Sequence, residues 1–217
     1  MLNFGIHPNL CDWFKSFLSD RVSKVKIGDY LSTNCFANTS GVLQGTVSGP
    51  FLFLIYINDL LSQFPADVRV TAFADDLKLY SSNSCSLQKA MDIVIEWCQK
   101  WKLTLAENKT LVMHLGKNNP SMEYFAGRVK ITKTSCARDL GIWVDKELSF
   151  EDHINRIVNK AMHKCRMLLR SFRSSNPDFY FRLFNTYIRP TLEYGCSYFM
   201  AQKTTVSSTG TLLSGIK

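Results

Sequence analysis

The sequence lacks the patterns that mark a secreted, membrane-spanning or zinc-binding protein. Its seven cysteines are scattered, and no two have the Cys-x-x-Cys spacing, which argues against a disulfide framework or a zinc site. Residues 1–7 lack the charged and apolar regions of a signal peptide, and the longest apolar run, residues 51–57, is too short to cross a bilayer. We therefore expect an intracellular location, nuclear or cytoplasmic, without membrane contact.

Acidic residues are also scarce relative to basic ones. The chain has 18 Asp and Glu residues against 26 Lys and Arg residues, a formal net charge of +8 at pH 7. This balance suits a polyanionic partner such as nucleic acid without identifying one, and a merely basic protein stays an alternative. Because 46% of the 217 residues are hydrophobic, the composition argues against disorder and allows a proper core.

Two of the few acidic residues are adjacent, in the middle of residues 71–78. Apolar and polar residues alternate before and after them, which predicts two half-buried strands joined by a turn of Ala74, Asp75 and Asp76. Two carboxylates at the edge of a core need a neutralising cation, and Asp is an ordinary oxygen ligand for Mg²⁺. Lys78 offsets only part of the charge. A solvated Asp-Asp turn is the alternative, because such turns are common.

Helices are predicted where apolar residues repeat every three or four positions. These segments are residues 8–18, 50–59, 87–101, 151–173 and 177–190. The second, capped by Ser48, is apolar nearly all round, so we expect it to be buried beneath a sheet. Ser149 is the predicted cap of the fourth, and Pro190 is expected to kink or end the fifth. Gly28 and Asp29 predict a hairpin turn.

Four short blocks in fixed order resemble the reverse transcriptase domain of non-LTR (LINE-like) retrotransposons. They are SGVLQG at 40–45, FADD at 73–76, NKT at 108–110 and RDLGI at 138–142. The resemblance covers roughly residues 4–199, and four ordered blocks are far more specific than any one of them.

The resemblance implies an α+β fold: a right-hand polymerase palm, in which an antiparallel sheet packs on helices, with partial fingers and a helical thumb-like region. Residues 1–145 would form the partial fingers and palm, and residues 146–199 the thumb-like region. Residues 200–217 turn rich in Ser, Thr and Gly, which predicts a disordered tail.

The activity implied is that of an RNA-directed DNA polymerase, which carries out template-directed nucleotidyl transfer with two Mg²⁺ or Mn²⁺ ions. Its partners would be an RNA template, a DNA primer and deoxynucleoside triphosphates. The resemblance assigns metal binding and catalysis to Asp75 and Asp76, and contact with the triphosphate to Lys109. Lys109 is otherwise an ordinary surface lysine.

The other contacts implied are with the nucleotide and the nucleic-acid strands. The incoming nucleotide would meet Gln44, Gly45, Phe73 and Ala74. The primer 3′ end would be held by Leu140 and Gly141. Six cations on one side of the fourth helix would follow the nucleic-acid backbone: Arg156, Lys160, Lys164, Arg166, Arg170 and Arg173. A plain loop amide at Gln44 and a solvated basic helix face are the alternatives.

In this family a third carboxylate lies on a strand shortly before the helix that begins here at Pro8. The residues that precede Pro8, Phe4-Gly5-Ile6, match what normally follows that strand. We therefore expect a domain truncated upstream of it, weak or inactive as a polymerase, whose sheet has an unpaired edge. Two other classes stay open: a catalytically inactive basic nucleic-acid-binding remnant, and an unrelated basic α+β interaction protein.

Overall fold

The computed structural model describes residues 4–116, 119–200 and 210–214, which form an α+β fold of helices and mainly antiparallel strands. The chain divides into two compact units, Met1–Gln63 and Phe64–Lys217. The Asp-Asp hairpin and residues 146–199, the predicted thumb-like region, belong to the same compact unit.

The first unit begins with α1 (Pro8–Leu18), where proline is the first helical residue and the His7 ring accepts a hydrogen bond from the Asn9 N–H. Two antiparallel strand pairs follow it. They are β1 (Arg21–Ser23) with β4 (Phe36–Asn38), and β2 (Lys26–Ile27) with β3 (Tyr30–Leu31). The predicted start at Pro8 and the predicted turn between β2 and β3 are confirmed.

Helix α2 (Ser48–Leu61) ends the first unit, and its burial differs from the prediction. Its buried side chains include Leu52, Ile57 and Leu60, whereas Phe51 and Leu54 are 48% and 58% exposed. The prediction of a helix buried all round is therefore wrong. Ser48 is the first helical residue and not the cap, a position held by Val47 without a side-chain hydrogen bond.

The second unit is built on a five-stranded sheet of order β10-β7-β13-β6-β5. Its strands are β5 (Arg69–Phe73), β6 (Asp76–Ser81), β7 (Leu111–Leu115), β10 (Thr132–Lys133) and β13 (Gly210–Ser214). Helix α3 (Ser84–Trp101) connects β6 to β7 and is capped by the Asn83 side chain. Buried Leu87 and Val94 on α3, with Leu79 on β6 and Val112 on β7, belong to the core.

Strand β13 corrects the prediction of a disordered tail over residues 200–217. Residues 210–214 instead pair on both sides, antiparallel to β6 and to β7. The Ser-, Thr- and Gly-rich composition suggested disorder, but hydrogen bonds from two neighbouring strands stabilise a segment whose own sequence has little strand preference. The rest of this predicted tail lies outside the described residues, except for Met200.

The remaining elements complete the second unit. The strands are β8 (Phe125–Ala126), β9 (Val129–Lys130), β11 (Cys136–Asp139) and β12 (Ile142–Asp145), and the helices are α4 (Glu151–Ser171), α5 (Pro177–Leu183), α6 (Arg189–Glu193) and α7 (Cys196–Met200). A π-helical turn, Phe184–Ile188, joins α5 to α6 just before Pro190, where a kink was predicted. None of the helices in the described ranges is both long and apolar enough to span a bilayer.

Helix α4 begins differently from the prediction. Phe150, not Ser149, holds the cap position, and the Asp145 carboxylate accepts N–H hydrogen bonds from Glu147, Ser149 and Phe150. The helix ends at Ser171, before the predicted end at residue 173. Side chains on one edge of its apolar stripe, including Ile154 and Val158, are exposed.

Candidate functional site

The Asp-Asp segment forms the predicted hairpin, with a turn of two residues. Phe73 at the end of β5 pairs with Asp76 at the start of β6, which leaves Ala74 and Asp75 in the turn and corrects the predicted three-residue turn. Ala74 has a φ of 52°, a left-handed conformation that costs a residue with a Cβ about 1–2 kcal/mol. Asp75 is exposed and Asp76 half-buried, and the Phe73 ring beside them is 61% exposed.

The hairpin is tied to a second hairpin by an ion pair. The Lys78 ammonium lies 2.5 Å from a carboxylate oxygen of Asp139, at the end of β11. Leu140 and Gly141, the turn between β11 and β12, come directly after Asp139 and both have positive φ. The lysine therefore pairs with Asp139, and the predicted primer-binding turn is connected to the strand that carries Asp76.

The Leu140-Gly141 turn is itself fixed by Tyr194. The Tyr194 hydroxyl donates a 2.7 Å hydrogen bond to the Leu140 carbonyl. A Cβ added at Gly141 would lie 3.2 Å from the Tyr194 ring, so a small residue is needed there. Gly195 packs even more closely on Ile142 at the start of β12, where an added Cβ would lie 2.5 Å from the Ile142 side chain. The residues that follow α6 thus contact the turn through a hydrogen bond and close packing.

Lys109 lies at the same end of the sheet as Asp76, just before the first residue of its strand. It ends a short 3-10 turn, Glu107–Lys109, and is exposed. Strands β6 and β7 are parallel, and Ser214 on the strand between them pairs with Lys78 on one side and with Leu111 on the other. Asp76 lies two residues before Lys78 on β6, and Lys109 lies two residues before the first residue of β7, a strand about 10 Å from β6. The strand predicted from about residue 103 begins only at Leu111.

Asp75 and Asp76 are of the residue type that binds hard divalent cations, and they are adjacent at the end of the hairpin. Hard cations such as Mg²⁺ prefer carboxylate oxygens, and an exposed turn at the edge of the sheet leaves room for water and for substrate oxygens. Among residues 4–116, 119–200 and 210–214, no group of three or more His, Cys, Asp or Glu side chains could hold a metal ion. The hairpin therefore offers part of a ligand set.

Gln44 and Gly45 belong to the first unit, where they form an exposed turn just before α2. Gly45 has a φ of 79° and nothing within 4 Å of an added Cβ, so its backbone is open to a close approach. The Arg21 guanidinium donates a 2.7 Å hydrogen bond to the Gly41 carbonyl and holds the start of this loop.

A cavity of about 470 Å³ lies beside the Leu140-Gly141 turn, within the second unit. Its lining includes Gly141 and the cationic side chains of Arg138, Lys160 and Lys164, and it contains no Asp or Glu. The Lys164 ammonium is held by the Tyr187 carbonyl at 3.1 Å and by a threonine hydroxyl. Such a surface favours an anion.

His153 adds a neutral imidazole to the wall of this cavity. His153 is 1% exposed. Burial lowers the pKa of its imidazole, and the nearby Asp152 carboxylate only partly offsets this by raising the pKa. Its Nδ1 accepts a 3.4 Å hydrogen bond from the Trp143 N–H, so the proton of the neutral ring is on Nε2. Nε2 has no hydrogen-bond partner among the described residues.

The six cations predicted to contact a nucleic-acid backbone have different environments. Lys160 and Lys164 line the cavity, and Arg156 is held by Asp152 at 2.8 Å and stacks on the Trp143 ring at 4.4 Å. Exposed side chains beyond the cavity are those of Arg166, Arg170 and, past the end of α4, Arg173. Arg166 and Arg170 are four residues apart on α4 and therefore lie on one side of the helix.

Comparisons with known proteins identify the family of this chain. A family model described as reverse transcriptase (RNA-dependent DNA polymerase) matches residues 1–144. The chain is 30% identical over 171 residues to a probable RNA-directed DNA polymerase from transposon BS of Drosophila melanogaster. The aligned part is 71% of this chain and 18% of that protein. It is 29% identical over 147 residues to a retrovirus-related Pol polyprotein from the type-1 retrotransposable element R1 of Nasonia vitripennis, or 61% of this chain and 44% of the relative.

A third relative is the RNA-directed DNA polymerase from mobile element jockey of D. melanogaster, 27% identical over 164 residues, 69% of this chain and 18% of that protein. The chain belongs to the reverse transcriptase family. The resemblance to the enzymes of non-LTR retrotransposons is confirmed. The chain spans less than half the length of each of these three relatives. No solved structure matches it.

Several residues of the site were not predicted from the sequence. Arg138 and Asp139 belong to the RDLGI block, but the sequence analysis gave neither of them a role, and nothing local distinguishes His153 from an ordinary helix residue. The pairing of Asp139 with Lys78 depends on a tertiary contact between two hairpins. Tyr194 had one signal: it precedes a glycine, and glycine often permits close packing of neighbouring segments.

Proposed function

We propose that this chain acts in template-directed nucleotidyl transfer, as part of an RNA-directed DNA polymerase of a retrotransposon. The observation that carries the proposal is the two-residue hairpin, which presents adjacent carboxylates at the edge of a sheet in a member of the reverse transcriptase family. We assign the region of the β5–β6 hairpin to the palm and residues 146–199 to a thumb-like region. The proposed substrates are an RNA template, a DNA primer and deoxynucleoside triphosphates.

Asp75 and Asp76 would hold divalent ions, Mg²⁺ or Mn²⁺, which when bound stabilise the attacking and leaving oxygens of a phosphoryl transfer. Lys109, at the same end of the sheet, provides a cation for the charge that develops on the triphosphate. Because the hairpin contributes two carboxylates to the ligand set, we expect synthesis by residues 1–217 to be slow.

Other residues would position the substrates. The exposed Phe73 ring offers an apolar surface for a base or sugar, and the open backbone at Gly45 with the amide of Gln44 suits the incoming nucleotide. The Leu140-Gly141 turn would support the primer end, and the Lys78–Asp139 ion pair links this turn to the Asp-Asp hairpin. The cavity beside it suits a backbone phosphate, because its lining carries three cations and no acid.

This cavity also favours a second candidate function, binding of nucleic acid without synthesis. Lys160 and Arg138 make no ion pair with any residue in the described ranges, so their charges are available to an anion. Binding of this kind would be sensitive to salt and indifferent to sequence.

Primer extension on purified residues 1–217 separates the two functions. The reaction contains an RNA template, an annealed DNA primer, deoxynucleoside triphosphates and Mn²⁺ or Mg²⁺. We expect slow, metal-dependent extension that Asp75→Asn reduces by at least about a hundredfold, the usual effect of removing one group that stabilises the transition state. Asp29→Asn, in the two-residue turn between β2 and β3, is the matched control and should retain extension.

Extension that persists in Asp75→Asn would contradict the assignment of the hairpin as the metal site. Absence of extension by the unmodified chain, with salt-sensitive binding of primer-template retained, would favour the second function. Absence of both would overturn the two proposals together.

A further inference from the structure

The sheet of the second unit contains a slot for one strand, filled from a distant part of the chain. Helix α3 carries the chain from β6 to β7, which are parallel and separated by one strand width. Strand β13 fills the gap. Leu212 pairs with Tyr80 on one side and with Met113 on the other, and the pairing extends over four residues of β6 and five of β7.

The filled slot also recognises a side chain. Thr211 is 5% exposed, and its hydroxyl lies 3.3 Å from His114 Nδ1 and 3.3 Å from the amide nitrogen of Asn119. Tyr124, 2% exposed, also hydrogen-bonds the Thr211 side chain. Three polar side chains of the second unit therefore meet at one hydroxyl. Each would lose its hydrogen bond to this hydroxyl if the slot held an apolar residue at this position.

An empty slot would be costly. Unfilled, β6 and β7 would expose two unpaired edges next to Leu79 and Val112, which are 2% and 0% exposed in the complete sheet. Exposed edges beside apolar side chains bind other strands, because main-chain N–H and C=O groups are free to pair. The slot thus has the properties of a binding site for an extended peptide.

We propose that the slot between β6 and β7 is a strand-acceptor site for an extended segment with a buried hydroxyl side chain, and that Gly210–Ser214 is its intramolecular occupant. Main-chain pairing on both sides provides affinity, and the contacts of Thr211 fix the register. The occupant pairs as far as Lys78, two residues from Asp76. It brings no carboxylate to the Asp-Asp hairpin, because the chain contains no Asp or Glu after Glu193. Filling the slot therefore aligns the strand that carries Asp76 without adding a carboxylate.

A peptide in trans tests the proposal on the full chain. Leu212→Pro removes a main-chain N–H in the middle of β13 and should free the slot. A fluorescent peptide of residues 208–217 is then titrated against both chains, with anisotropy as the measurement. We expect the peptide to bind the Leu212→Pro chain at least about tenfold more tightly than the unmodified chain, in which the tethered strand competes. A peptide with the same Leu212→Pro change is the control and should bind neither.

Equal affinity for the two chains, or no binding to a Leu212→Pro chain that circular dichroism shows to be folded, would overturn the proposal. Thr211→Val in the full chain provides a second test that does not require an empty slot. We expect faster amide exchange in residues 78–81 and 111–115, with residues 87–98 of α3 unchanged. Thr104→Val, at an exposed residue outside the sheet, is the matched control. Unchanged exchange in both strands would contradict the proposal, whatever the outcome for nucleotide synthesis.

Discussion

At the scale of single residues, Gly141 shows how one side chain constrains the candidate site. Its φ of 93° and the 3.2 Å approach of Tyr194 both oppose a Cβ, whereas Gly127, with a φ of 63°, has nothing within 4 Å. We expect Gly141→Ala to lower the free energy of unfolding by about 2 kcal/mol and Gly127→Ala by about 1 kcal/mol. Urea denaturation followed by circular dichroism measures both. Equal losses would mean that Tyr194 does not restrict this turn.

Residue positions were predictable where the signal was local. The Asp75-Asp76 turn follows from alternating apolar residues within ten positions of it, and the structure places both carboxylates at a hairpin end. The Lys78–Asp139 ion pair had no such signal, because its two residues belong to different hairpins that are brought together by the packing of the unit. The same is true of His153, whose buried imidazole looks like a helix-surface residue in the sequence.

At the scale of elements, Asp145 sets the beginning of α4. Burial alone would raise the pKa of its carboxyl, but hydrogen bonds from the backbone of Ser149 and Phe150, the Ser149 hydroxyl and the backbone of Glu147 lower the pKa overall. We expect Asp145→Asn to lower the free energy of unfolding at pH 7 by about 1–2 kcal/mol. Asp178→Asn, in the first turn of α5, is the control and should have the smaller effect.

The loss in Asp145→Asn should depend on pH. Because the pKa of Asp145 is lower in the folded state, its carboxylate stabilises the fold fully above the unfolded pKa of about 3.9, and this contribution disappears as the pH falls through the folded value. Unfolding free energies of the two chains should therefore converge in acid. If the difference in unfolding free energy between the two chains stayed constant from pH 7 to pH 3, the negative charge of Asp145 would not be the source of its stabilising effect.

Helix α4 also allows a test of the basic cavity. Lys160→Gln removes a charge from its lining, so we expect weaker primer-template binding and a slope of log affinity against log salt smaller by about one. Lys89→Gln, on α3 and not part of the cavity lining, is the matched control. Fluorescence anisotropy at several salt concentrations gives both slopes. An unchanged slope in Lys160→Gln would remove the cavity from the nucleic-acid surface.

Elements were predicted best where their pattern is periodic. The spacing in α1, α3 and α4 gave helices close to those observed, but it did not predict which apolar side chains are covered, because coverage depends on neighbouring elements. The exposed Phe51 and Leu54 of α2 show this limit. Strand β13 was missed for the complementary reason: its stability comes from two partners that are distant in the sequence.

At the scale of the whole molecule, the account depends on the Asp-Asp hairpin as a metal site within a reverse transcriptase family member. The α+β class and the family were predictable, because four sequence blocks in order are sufficient for them. The division into two compact units was not, because no change in composition marks the boundary after Gln63.

The most direct test of the hairpin is Mn²⁺ binding to the full chain, followed by the loss of the free-ion signal in electron paramagnetic resonance. We expect Asp75→Asn and Asp76→Asn each to weaken binding by about tenfold or more, since even changes outside the ligand shell often cost that much. Asp29→Asn should bind Mn²⁺ as the unmodified chain does. Equal binding by all four chains would contradict the account and leave the Asp-Asp hairpin as a solvated turn.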